Sequence, residues 1–198
     1  RLQGTKTGSG NQVPTGIQIG LGAMLSSVQK IFQQGDYQKT DNELDISIEG
    51  NGFFQITLPS GDKAYTRSGA MKSDSGGKLV TADCYLLEPN ITIPQKTLNI
   101  SIGAGGTVSG LVQGQSSPQQ IGKIELATFA NPTGLRAIGK NLFSESDASG
   151  TPTTGKPGEN GMETLLQGYL EMSNVNIMQE MINLIIGQRA YEVNSKAI

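Results

Sequence analysis

Two hydrophobic periods divide the chain. Over residues 45–126 apolar positions recur at every second residue. Ile46 and Ile48 alternate with Asp45, Ser47 and Glu49, Phe54, Ile56 and Leu58 share one face of the next segment, and Leu98, Ile100 and Ile102 repeat the pattern around Asn99 and Ser101. A period of two belongs to a strand with one buried face, because successive side chains of a pleated strand point to opposite sides. Between the runs stand Pro59-Ser60-Gly61-Asp62, Asp74-Ser75-Gly76-Gly77 and Gly103-Ala104-Gly105-Gly106. Each supplies a glycine able to take positive φ, or a side chain that bonds its own backbone, so each predicts a tight turn. Short strands joined by such turns predict an antiparallel β body. Residues 144–161 are rich in Ser, Thr, Gly and Pro without periodicity and read as a loop; residues 1–25 read as an extended arm.

After Ser173-Asn174-Val175-Asn176 the period changes. Met178, Met181, Ile182, Ile185 and Ile186 fall at the spacing of one helical face, and Asn176 with Gln179 three residues on forms a capping pair at its start. This predicts a single long amphipathic helix from about residue 177 to the end. Val28, Ile31 and Phe32 have the spacing of one short helical turn. The expected fold is therefore mainly β, an antiparallel body of short strands and hairpins over residues 26–172, followed at 173–198 by the start of a C-terminal helix. An amphipathic helix either packs on its own domain or meets a partner helix, and the pattern alone leaves both open.

Composition narrows the chemistry. The chain has no histidine, which removes the commonest general base and metal ligand near neutral pH, and a single cysteine, which removes an intrachain disulfide and a thiolate metal cage. Cys84, within Thr81-Ala82-Asp83-Cys84-Tyr85-Leu86-Leu87, reads as a small buried strand residue rather than a nucleophile. Fifteen basic residues are spread among 17 acidic ones, so no electrostatic footprint for nucleic acid is present. No run approaches the ~18 apolar residues of a membrane span. The start, Arg1-Leu2-Gln3-Gly4-Thr5, has no apolar signal-peptide region and no initiator methionine, and the chain reads as a fragment.

Several candidate sites have plainer readings. Asp41, Glu43 and Asp45 could gather calcium, yet they lack the glycine and distal glutamate of a helix-loop-helix calcium loop, and they read as a solvated turn. Gly103-Ala104-Gly105-Gly106 could cradle phosphate, but no lysine follows, so it reads as a hairpin turn, as do Gly20-Leu21-Gly22 and Gly50-Asn51-Gly52. Asn90-Ile91-Thr92 and Asn99-Ile100-Ser101 fit the glycosylation pattern, which matters only in a eukaryotic secretory route. No carboxylate pair stands out for glycoside cleavage. The expectation is no catalysis, no cofactor and no metal.

Beyond these local readings, Ser173-Asn174-Val175-Asn176, then Glu180-Met181, then Gln188-Arg189-Ala190-Tyr191-Glu192-Val193-Asn194-Ser195-Lys196 closely resemble the C-terminal signature of bacterial flagellar rod and hook proteins. Phe32-Gln33-Gln34-Gly35, Thr40, Leu44-Asp45 and Gly50-Asn51-Gly52-Phe53-Phe54 resemble the family's central strand motif. Tyr65-Thr66-Arg67-Ser68-Gly69, Gly77-Lys78-Leu79-Val80-Thr81 and Tyr85-Leu86 resemble its next hairpins. Phe129-Ala130-Asn131-Pro132-Thr133-Gly134-Leu135 and Gly139-Lys140-Asn141-Leu142-Phe143 resemble a later pair. Within the family, Pro14-Thr15-Gly16-Ile17-Gln18-Ile19-Gly20-Leu21-Gly22 and the compact centre resemble the distal rod branch. Cys84 departs from a common glycine and Ala70 from a frequent phenylalanine. The family's N-terminal helix and the far end of its C-terminal helix are expected to lie beyond this sequence.

The resemblance implies a structural subunit that polymerises. Terminal helices of many copies would stack into an inner tube of coiled coils, and the β domain would form the outer layer, in a drive shaft that carries torque from motor to hook. Its implied subunit interface is Met178, Met181, Ile182, Ile185, Ile186, Gln188, Arg189 and Tyr191. Implied partners are further copies of the chain, neighbouring rod and hook proteins and the surrounding basal-body rings, with neither nucleic acid nor membrane insertion. The implied location is the periplasm-spanning basal-body rod, reached by flagellar export without a cleaved signal, a route to which low cysteine content is suited. The alternatives are a hook or proximal rod protein of the same family or, in a different class, a secreted glycan-binding or glycan-cleaving β domain or a bare adhesin domain. A glycan reading needs exposed aromatics in a groove, and the chain has no tryptophan and five scattered tyrosines.

Overall fold

The computed structural model describes Met24 and residues 30–115, 117–159 and 161–196. The chain divides into a unit of residues 1–30, nearly all outside the described residues, and a unit of residues 31–198. The extended arm therefore lies outside the described residues apart from Met24, as does Val28. Ile31 and Phe32 are not helical; the ring of Phe32 instead packs edge-on against Phe53 and Phe143.

The described part of the second unit holds strands β1 (Tyr37–Lys39), β2 (Ile46–Glu49), β3 (Phe53–Thr57), β4 (Lys63–Thr66), β5 (Met71–Ser73), β6 (Leu79–Thr81), β7 (Leu86–Glu88) and β8 (Thr97–Ile102). They are followed by β9 (Thr107–Val112), β10 (Gln119–Lys123), β11 (Leu126–Thr128), β12 (Arg136–Gly139), β13 (Leu142–Ser144), β14 (Thr153–Gly155), β15 (Thr164–Gln167), β16 (Tyr169–Glu171) and one helix, α1 (Ile177–Lys196). All strand pairings are antiparallel. The largest sheet runs β12-β13-β4-β3-β7-β6-β5, with β11 joining β3 to β14. A three-stranded sheet, β10-β9-β8, and two pairs, β15-β2 and β1-β16, complete the body.

The period-two expectation holds where it matters most. Phe54 and Ile56 of β3 enter one core with Ile46, Ile48, Leu87, Val108, Leu126 and Leu165, so that a single apolar cluster joins three of the four sheets. Phe53, on the opposite face of the same strand, enters a second core with Tyr65, Ala127, Phe129 and Leu135. Each large side chain so buried contributes roughly 1.5–3 kcal/mol relative to exposure. The three turns form as expected. Gly61, Gly77 and Gly106 take positive φ, and the Asp74 carboxylate accepts the amides of Gly76 and Lys78 at 2.8 Å each.

Five local expectations are corrected. Ser47 and Asp45, expected on a polar outer face, are buried, because β2 is covered on both sides; the Ser47 hydroxyl has no hydrogen-bond partner. Leu98, expected on the apolar face of β8, is 67% exposed. It is the extra residue of a bulge between Thr97 and Asn99, and a bulge breaks the alternation on which the expectation stood. Residues 144–161 are not all loop: Thr153, Thr154 and Gly155 pair with Thr128, Ala127 and Leu126, a polar three-residue strand held by a neighbour's free edge and carrying no apolar period of its own.

Cys84 is neither buried nor in a strand. It is exposed, with φ of 65°, in the turn between β6 and β7, where its amide donates to the Thr81 carbonyl. The reversal needs a left-handed residue there, which is the conformation glycine takes without cost. The carboxylates Asp41, Glu43 and Asp45 are not a solvated turn throughout. Asp45 is buried and accepts the Asn42 side-chain amide at 2.9 Å, while Glu43 accepts the Ile100 amide at 2.9 Å.

Candidate assembly surface

The helix starts where its capping residue sits. The Asn176 side-chain oxygen accepts the amides of Met178 at 3.0 Å and Gln179 at 3.3 Å, satisfying two donors that the first turn leaves free. The reciprocal half of the capping pair does not form, because the Gln179 amide turns along the helix to Asn183. Glu180 in the first turn and Lys196 in the last have the signs that suit the helix dipole.

None of the twenty residues of α1 is buried. Ile182 and Ile185 are each 49% exposed, and Met178, Met181, Ile186 and Tyr191 more so. Gly187 and several β-branched residues lower the intrinsic propensity of α1, so in the single chain it holds through its twenty-residue length and its Asn176 cap, and burial of a face would stabilise it further. At ~100° per residue, Met178, Met181, Ile182, Ile185 and Ile186 occupy about 140° of its circumference, with Gln188 and Arg189 in or beside the same arc. Over residues 177–186 Ile177 and Leu184, also exposed, widen the apolar arc to about 200°, with Tyr191 near its edge, whereas Arg189, Glu192 and Lys196 fall within that arc in the later turns. A face wider than half the helix needs cover from more than one direction.

At the base of the helix lies a polar cluster that the sequence reading passed over. Arg67, after the end of β4, donates through Nε and Nη2 to Glu171 of β16 at 2.9 and 2.7 Å, and through Nη1 to the carbonyls of Gly50 and Gly52 at 2.7 and 2.9 Å. The other Glu171 oxygen accepts the Gly35 amide at 3.1 Å. Gly35 has no room for a Cβ, which would run into the Met172 carbonyl oxygen. The Gln34 side chain bonds the backbone on either side of Glu49, donating to Ile48 and accepting from Gly50. Burial first, then the charges of Glu49 and Glu171, push the Tyr37 phenol above its usual range, and its hydroxyl donates to the Ile48 carbonyl at 3.4 Å. The available signal was a forked arginine and several amide side chains inside otherwise apolar hairpin motifs. The partners are far away in sequence, so the signal could not be read as a cluster.

Among the described residues no group of three or more His, Cys, Asp or Glu side chains is gathered in one place, and no helix is long and apolar enough to cross a membrane. The described residues thus form a β core, a polar neck, and a helix whose apolar face they leave open.

Residues 47–110 match the family model of the flagellar hook protein FlgE/F/G D1 domain, and residues 166–198 match that of the flagellar basal body rod FlgEFG protein C-terminal region. Over 198 residues the chain is 46% identical to the flagellar basal-body rod protein FlgG of Buchnera aphidicola subsp. Schizaphis graminum, covering all of this chain and 76% of that relative. It is 48% identical to FlgG of Caulobacter vibrioides over 198 residues, with the same coverage. The flagellar hook-basal body complex protein FlhP of Bacillus subtilis is 34% identical over 199 residues, covering 94% of this chain and 71% of that protein. The chain belongs to the flagellar basal-body rod protein FlgG family, whose members are structural proteins and not enzymes.

Proposed function

We propose that this chain is a structural subunit of the distal rod of the bacterial flagellum, and that α1 is the element through which copies associate. The observation that carries the reading is the helix itself. Its apolar arc, wider than half the circumference over residues 177–186 and uncovered by the described residues, belongs to a motif that matches a rod-protein family model. Helices of several copies pack side by side along Met178, Met181, Ile182, Ile185 and Ile186, with Gln188, Arg189 and Tyr191 at the margins, and form a tube of coiled coils inside a layer of β cores. Contacts of this kind are heterologous and propagate into a helical shaft rather than closing into a dimer. Neighbouring rod and hook proteins continue the shaft at its ends, the basal-body rings surround it, and the subunit reaches it by flagellar export. The higher identity to FlgG proteins than to the FlhP protein favours the distal rod.

Electron microscopy of basal bodies from cells lacking the gene for this chain tests the reading. The expected particles end before the distal rod and carry no hook, and expression of the chain's gene restores both. Basal bodies with intact rods and hooks in the deletion strain would overturn it.

A further inference from the structure

The motif Ser173-Asn174-Val175-Asn176 contains two asparagines, and helix capping uses only the second. The first does something else. The Asn174 side-chain amide donates to the carbonyls of Ile31 at 3.2 Å and Gln33 at 3.0 Å, more than 140 residues back along the chain. Two carbonyl partners require the two hydrogens of an amide nitrogen, which aspartate of the same shape lacks. Just before it, the Met172 amide donates to the Asp36 carbonyl at 2.8 Å, and β16 is tied to β1 and, through Glu171, to Arg67. The outgoing chain is therefore stitched to the incoming segment at residues 171, 172 and 174, and α1 begins three residues after the last stitch. No residue of the helix is buried, so its direction is not set by packing on the core.

We propose that Asn174 is a positioning residue that locks the angle at which α1 leaves the β core, with the Arg67–Glu171 pair holding the strand behind it. Its consequence for a rod, which rests on the function proposed above, is that core and helix turn as one body and the torque carried by the helices reaches the outer layer without slack. The clasp itself is a property of the single chain.

The test is the dipolar distance between a nitroxide on the native exposed Cys84 and one on Asn194→Cys, near the far end of α1, measured on the unassembled chain. From the clasp to that label the helix is a lever of about 27 Å, so a swing of ~15° moves the label by about 7 Å. Asn174→Asp removes both donors and sets a carboxylate against two carbonyls; Asn174→Ala removes the group without adding charge. Both are expected to at least double the width of the distance distribution while the core's cooperative melt is kept. An unchanged distribution in both variants overturns the proposal, and so does a widening that appears only when the core melt is lost. A non-motile Asn174→Asp strain whose unassembled chain keeps the narrow distribution would assign Asn174 to a contact between subunits instead, which also overturns it. None of these readings depends on whether the chain assembles through α1.

Discussion

Isoleucines of the β core and of the helix live in opposite conditions. Ile46, Ile48 and Ile56 are wholly buried in the β core, whereas Ile182 and Ile185 of α1 are each 49% exposed. The core has spent its apolar surface within the chain, through strands that meet across sheets. The helix has kept a comparable surface in reserve. A module built in this way can fold as a monomer and still hold a driving force for association, because the two hydrophobic surfaces are physically separate. The polar neck of Arg67, Glu171, Gln34 and Asn174 stands between them, contributing direction rather than buried area.

The largest effect that can break this contrast is on assembly. Ile182→Asp and Ile185→Asp would each forfeit roughly 1.5–3 kcal/mol of burial at every subunit contact and leave an unpaired carboxylate costing several kcal/mol more. The expected outcome is complete loss of rod assembly and of swimming, while the unassembled chain melts within a few degrees of wild type. A large loss of monomer stability would mean that the helix packs on its own core. The mirror experiment is in the core. Phe54→Ala leaves a cavity where a wholly buried ring stood, and is expected to cost the monomer ~3–5 kcal/mol in chemical denaturation. It should do so without changing the helical signal that remains at low denaturant.

Smaller changes sharpen the same line. Asn176→Ala removes the cap of α1 and should lower helical content measured by circular dichroism, at a cost of about 1 kcal/mol to the helix. Melting of the core should not move. Conversely, Cys84→Gly relieves a left-handed non-glycine residue in the β6–β7 turn. It is expected to raise core stability by up to about 1 kcal/mol, the left-handed penalty less the backbone entropy that glycine adds to the unfolded chain. A calorimetric melt checks it, and α1 should be indifferent.

Much of this was legible in the linear order of residues. The alternation of Phe54 and Ile56, the turns at Gly61, Gly77 and Gly106, and the span of α1 behind Asn176 are set by interactions within a few residues, so short windows contain the whole signal. The family was legible for a related reason, since its motifs are contiguous strings. The exposure of Leu98, the burial of Ser47 and the pairing of Thr153–Gly155 were not, because each depends on what a neighbouring strand does. The neck was hidden furthest. Arg67 reaches Glu171 across 104 residues, Gly35 reaches the same carboxylate across 136, and Asn174 reaches Ile31 across 143. Local sequence determines which backbone states are cheap. Only the folded chain brings a donor to an acceptor at that separation, once burial elsewhere has offset the entropy of closing so long a loop.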